Sequence, residues 1–223
     1  MHRPQDSGAA ATAVNGVVAM GGEVHPVLMM KSRMFCAITA LGLCVPMLWA
    51  QPLSATVWGA PSGGLQLGVA ASVDGRPANI VSFEVSFRNT GANDFVLNLG
   101  HMLGNGKVML PDAVRLVLTR PSGTTCELHY FDRRYPRVAG RVDDFVVALP
   151  AEAEYTLRLN GDRLWCAATQ EFQTALAPGP YRVTIRFQGR GAETENLDMK
   201  GVSLLAFWKG TAESGQASFH VEQ

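Results

Sequence analysis

The residues with the greatest capacity for chemistry lie in one stretch, His129 to Asp144, which reads HYFDRRYPRVAGRVDD. It gathers Arg133, Arg134, Arg137 and Arg141 with Asp132, Asp143 and Asp144, and interleaves Tyr130, Phe131 and Tyr135. Guanidinium forks hold carboxylates or phosphates through two parallel hydrogen bonds, and aromatic rings add stacking surface. Arg133, Arg134, Tyr135, Arg137 and Arg141 are therefore the candidate ligand-contact residues. The competing reading is a solvated crossover whose opposite charges pair among themselves, an arrangement that contributes little to stability.

Other chemistry is poorly supported. Asp143 and Asp144 invite a metal or paired-carboxylate reading, but adjacent residues of an extended chain point to opposite sides. With Asp132 they match no calcium-loop spacing, so no metal ligands are assigned. A serine hydrolase would need an activated serine, and no Gly-x-Ser-x-Gly elbow occurs. His101, His129 and His220 read as turn or strand-face residues, and no catalytic residue or cofactor is expected. Of Trp58, Trp165 and Trp208, an exposed ring could stack on sugars; the expectation is core packing, with Trp165 lying against a disulfide through its neighbour Cys166.

The cysteines depend on where the chain goes. Lys31 and Arg33 precede an apolar run from Met34 to Val45, and Pro46 to Ala50 ends on a small residue before Gln51. Basic, apolar, then small is the order of a secretory signal peptide, and the run is short for a transmembrane helix. Residues 1–29 read as a start-site extension or disordered leader, 30–50 as the signal peptide and 51–63 as a linker. The expected location is the periplasm or cell exterior. Contact with a membrane would come only through the signal segment, if it stays uncleaved or is lipidated at Cys44. Cys126 and Cys166 remain in the processed chain, and a pair in an exported protein is most simply a disulfide. The alternatives are a two-cysteine metal site, for which no histidine has ligand spacing, and a free thiol at Cys126 with His129 nearby. The formal charge of the chain is +0, with 19 basic and 19 acidic side chains, so no basic face for nucleic acid is implied.

The elements that would position these groups have a period of two. Val81, Phe83, Val85 and Phe87 alternate with polar residues and stop at Asn89-Thr90-Gly91. Tyr181, Val183, Ile185 and Phe187 repeat the pattern between Pro178-Gly179-Pro180 and Gly189. Further strands are expected at Leu65 to Val69, Phe95 to Leu99, Val114 to Leu118, Cys126 to Tyr130, Phe145 to Leu149, Tyr155 to Leu159, Val202 to Trp208 and Ala217 to Val221. Pro121-Ser122-Gly123 marks a hairpin, and Gly210 to Gly215 a turn. Ala151 to Leu159 also admits a helix, but its alternation continues to Asn160 and favours a strand. About nine or ten short strands without a long amphipathic helix point to an all-β antiparallel sandwich over 64–223.

FEVSFRNTG (Phe83 to Gly91), LAPGPYRVTIRF (Leu176 to Phe187) and the terminal stretch from Trp208 to Val221 resemble strands of exported bacterial immunoglobulin-like domains. A more distant likeness is to the BsuPI-type proteinase-inhibitor domain, whose inhibitory loop has no counterpart that can be mapped here. The first resemblance implies an immunoglobulin-like β-sandwich, with Tyr181 placed to form a tyrosine corner. The expected function is an exported, non-catalytic binding or accessory module for an unknown protein or glycan. The alternatives are a carbohydrate-binding module, a secreted protease inhibitor and a small secreted hydrolase.

Overall fold

A computed structural model describes residues 55–74, 80–104, 106–131, 140–172, 176–193 and 201–222. They form β1 (Val57–Trp58), β2 (Leu65–Asp74), β3 (Ile80–Asn89), β4 (Phe95–Leu103), β5 (Val108–Leu110), β6 (Val114–Thr119) and β7 (Thr125–Tyr130). There follow β8 (Val142–Leu149), β9 (Glu154–Asn160), β10 (Leu164–Cys166), β11 (Glu171–Phe172), β12 (Gly179–Gly189), β13 (Gly210–Glu213) and β14 (Ala217–Val221). The only helical pieces among the described residues are 3-10 turns at Gly161–Arg163 and Val202–Leu204.

All strand pairs are antiparallel. One sheet runs β1-β2-β3-β9; a larger one runs β11-β10-β7-β6-β12-β13, with β14 also on β12; a small one runs β5-β4-β8. The first two face each other across a shared core. Phe87 of one sheet meets Phe187 of the other edge-on, with ring centroids 5.3 Å apart, and Phe83 meets Phe219 at 5.9 Å. Alternation explains the layering: Val81, Phe83, Val85 and Phe87, like Tyr181, Val183, Ile185 and Phe187, are all buried. The polar residues between them line the outer faces.

Local chemistry ends the strands where the sequence indicates. Buried Asn89 donates through Nδ2 to the carbonyls of Asn93 (2.9 Å) and Leu149 (3.0 Å) and accepts from Gly91 N (2.9 Å), which fixes the turn after β3. The β6–β7 hairpin closes with Gly123 N donating to Arg120 O at 2.8 Å, Gly123 sitting at φ 84°. Tyr155, Leu157 and Leu159 belong to a strand, β9, not a helix.

Four expectations are corrected. Among the described residues fourteen strands stand where nine or ten were expected, because β1, β5, β10, β11 and β13 have only two to four residues, too few to show alternation. Val202 to Trp208 is not a strand: a 3-10 turn leads to one parallel bridge, Val96 to Phe207. Its apolar run follows from Val202 and Trp208 reaching the core while Leu204 is 87% exposed. Gly210–Glu213, read as a turn, is β13. The stretch 51–63 contains β1, which pairs with β2.

Cys126 and Cys166 form a disulfide, their Cα atoms 6.3 Å apart. Both point into the core from neighbouring strands of the large sheet, β7 and β10. The bridge therefore staples one layer and does not cross between layers.

Candidate functional site

The outer face of the large sheet carries a continuous row. Cross-strand register places Phe172 of β11 opposite Trp165 of β10, Trp165 opposite His129 of β7, His129 opposite Arg115 of β6, Arg115 opposite Arg186 of β12, and Arg186 opposite Glu213 of β13. With strands about 4.8 Å apart, this row crosses roughly 24 Å. Each member points outward because its neighbours point inward: Leu164 and Cys166 around Trp165, Val114 and Leu116 around Arg115, Ile185 and Phe187 around Arg186 are all buried.

The aromatic end is a cluster of three rings. Trp165 meets Phe172 edge-on at 5.0 Å, and Phe131, held beside Arg163 by its backbone N–H (2.7 Å to the carbonyl), meets Phe172 at 5.8 Å. Phe131 is 43% exposed. Trp165 was expected in the core; it lies on the outer face, because Cys166 takes the inward position and the residue before it must face the other way. Trp208 does enter the core, stacked on Phe187 at 5.7 Å and donating from Nε1 to Gly63 O at 2.9 Å. Trp58 lies half-buried under the Arg88 guanidinium, 3.9 Å from ring centroid to Cζ.

The middle of the row is an ion-pair ladder. Arg115 Nη1 contacts Glu127 Oε1 at 3.0 Å, and Arg186 Nε donates to Glu213 Oε1 at 2.8 Å while its Nη1 lies 4.0 Å from Glu127 Oε2. Glu127 and Glu213 thus offset two arginines that stand directly opposite each other, and the bond to Glu213 pushes the Arg186 pKa up. His129 Nε2 lies 3.1 Å from Arg115 Nη1 and 3.2 Å from Glu127 Oε1. Burial, followed by the Arg115 charge, lowers the His129 pKa against the opposing pull of Glu127. The neutral ring, accepting from Arg115 through Nε2, is the state this geometry favours.

Beyond Arg115 the face dips into a groove of about 450 Å³ lined by Asp112, Arg115, Glu127, Arg186, Arg190 and Glu193, among others. At its rim a closed ring of polar side chains forms. His101 Nδ1 lies 3.2 Å from Asp112 Oδ2 and its Nε2 3.6 Å from Glu193 Oε2, while Arg190 reaches Asp112 (2.9 Å) and Glu193 (3.1 Å). Gly100, in a bulge of β4 at φ 146°, makes this possible: a Cβ there would run into Leu110 O and Asp112 Oδ1.

The sequence-derived site residues have mixed places. Arg133, Arg134, Tyr135 and Arg137 lie outside the described residues. Arg141 binds Asp143, Nε donating to both carboxylate oxygens at 2.7 Å. Asp144 is buried and accepts from Asn98 Nδ2 (2.9 Å) and Glu193 N (3.0 Å), so it braces β4 and β8 to the chain leaving β12. Among the described residues no three His, Cys, Asp or Glu side chains are grouped to hold a metal ion. Sequence reasoning missed Arg115, Glu127, Phe172, Arg186 and Glu213, which only cross-strand register brings together. Neither protein-family models nor curated proteins match the chain.

Proposed function

We propose that this chain is an exported, non-catalytic binding module with an immunoglobulin-like sandwich, and that the outer face of its large sheet is the contact surface. The observation that carries the reading is the row from Phe172 to Glu213: aromatic rings, paired cations and a groove on one rigid face. Its polar groups hold each other in fixed positions, which suits recognition by preorganised hydrogen bonds. Arg115, Arg186 and Arg190 are each bound to a carboxylate, and His101 sits between two.

Strand order supports the immunoglobulin-like part. β2-β3-β9 in one layer and β14-β12-β6-β7 in the other follow the A-B-E and G-F-C-C′ orders of that fold. Tyr181 Oη donates to Ala177 O at 2.9 Å, near the start of β12, as a tyrosine corner does. The disulfide departs from the antibody pattern by joining C′-like β7 to the added strand β10. Export is supported by the basic-apolar-small order of 30–50 and by a disulfide of the kind that persists in oxidising compartments.

Photo-crosslinking from position 117, which faces outward two residues along β6 from Arg115 and opposite Glu127 and Thr184, tests the surface. Partner capture in the native compartment is expected, with loss on R115A/R186A. Capture that survives both changes, or intact signal-bearing chain in the cytosol, refutes the reading.

A further inference from the structure

We propose that the row binds a neutral oligosaccharide, with the Phe131, Trp165 and Phe172 rings against a sugar face and the ladder and groove taking its hydroxyls; this rests on the binding-module reading above. A pyranose ring has an apolar face of C–H groups and a periphery of hydroxyls, each able to donate and to accept. The surface presents the same division in the same order. Rings 5.0 and 5.8 Å apart form its apolar end, with Phe131 43% exposed and Trp165 excluded from the core by strand parity. Donors and acceptors are mixed over the rest: Arg115, Arg186 and Arg190 give N–H groups, and Glu127, Glu213, Asp112 and Glu193 give oxygens.

Charge balance selects the ligand class. A polyanion needs cations in surplus, yet every arginine of this row is partnered by a carboxylate. A polycation meets three guanidinium groups. A neutral polyol pays neither penalty, and ion-paired side chains keep free hydrogen-bonding positions without having to be reordered on binding. The row also runs across the strands, so a linear oligosaccharide can pass from the rings over His129 into the 450 Å³ groove beside Arg115.

The test uses the full processed chain and an array of cello-, xylo-, chito- and malto-oligosaccharides, followed by calorimetric titration of the best binder. Binding is expected, weakened about tenfold by F131A and by W165A, with less than about twofold change between low and high salt because no counterions are released. F131A alters a half-exposed ring, so an unchanged circular dichroism spectrum and melting temperature separate lost contact from lost fold. No binding to any neutral glycan overturns the proposal, as does salt-suppressed binding to an acidic polysaccharide or self-association through this face. Any of these, combined with crosslinking that still depends on Arg115 and Arg186, leaves the binding-module reading standing. Loss of that dependence removes both.

Discussion

Breaking the Cys126–Cys166 bridge has a calculable effect. The two cysteines are 40 residues apart in sequence, and closing a loop of that length removes about 13 cal/mol/K from the unfolded chain, or about 4 kcal/mol at 25 °C. The half-cystines lie on adjacent strands that already pair, so reduction need not disturb β7 or β10, and its effect should fall mainly on the unfolded state. With an m-value of about 2–3 kcal/mol/M in urea, the midpoint should drop by roughly 1.3–2 M in the C126A/C166A variant. The m-value should rise, because an uncrosslinked unfolded chain exposes more surface. Equilibrium urea unfolding followed by tryptophan fluorescence measures both. A midpoint shift below about 0.3 M with unchanged m would refute the loop-entropy reasoning, and two titratable thiols in the non-reduced protein would remove its premise.

Other perturbations probe the core and the site. F187A, at a fully buried ring packed on Phe87 and Trp208, should cost about 3–5 kcal/mol by denaturant titration. G100A should destabilise by about 1–3 kcal/mol, since the residue is held at φ 146° against Leu110 O and the Asp112 side chain; a calorimetric melt will register it. For His129 the folded pKa lies below the ordinary 6.5, so the unfolded state takes up a proton first as pH falls. Its contribution is therefore present above pH 6.5 and declines below it, and H129Q should flatten the stability profile between pH 7 and 5. A profile with the same slope in both proteins would contradict the assignment.

Much of the architecture is legible in sequence because strand parity is a local property. The alternation through Val81 to Phe87 and Tyr181 to Phe187 identifies two central strands and their buried faces, and Pro121-Ser122-Gly123 marks the β6–β7 hairpin. Parity also bears on Trp165: with Cys166 buried as a half-cystine, its neighbour belongs outside, and proximity in sequence is a poor guide to contact in a strand. The candidate row is a different matter. Arg115, His129, Trp165 and Arg186 come from four strands separated by tens of residues, and only pairing register aligns them. Register is set by long-range packing, which a single sequence does not display. Short strands such as β10 and β11 escape for a related reason: two or three residues carry no periodic signal, and their extended form follows from pairing, β10 with β7 and β11 with β10.

The interleaving of the two faces along each strand has an evolutionary consequence. On β6, β10 and β12 the odd-numbered positions Arg115 and Trp165 and the even-numbered Arg186 sit between residues sealed from solvent, so the chain carries two messages in alternate letters. One set can drift while the other conserves the folded state, and a lineage could rewrite the outer face without first acquiring spare stability.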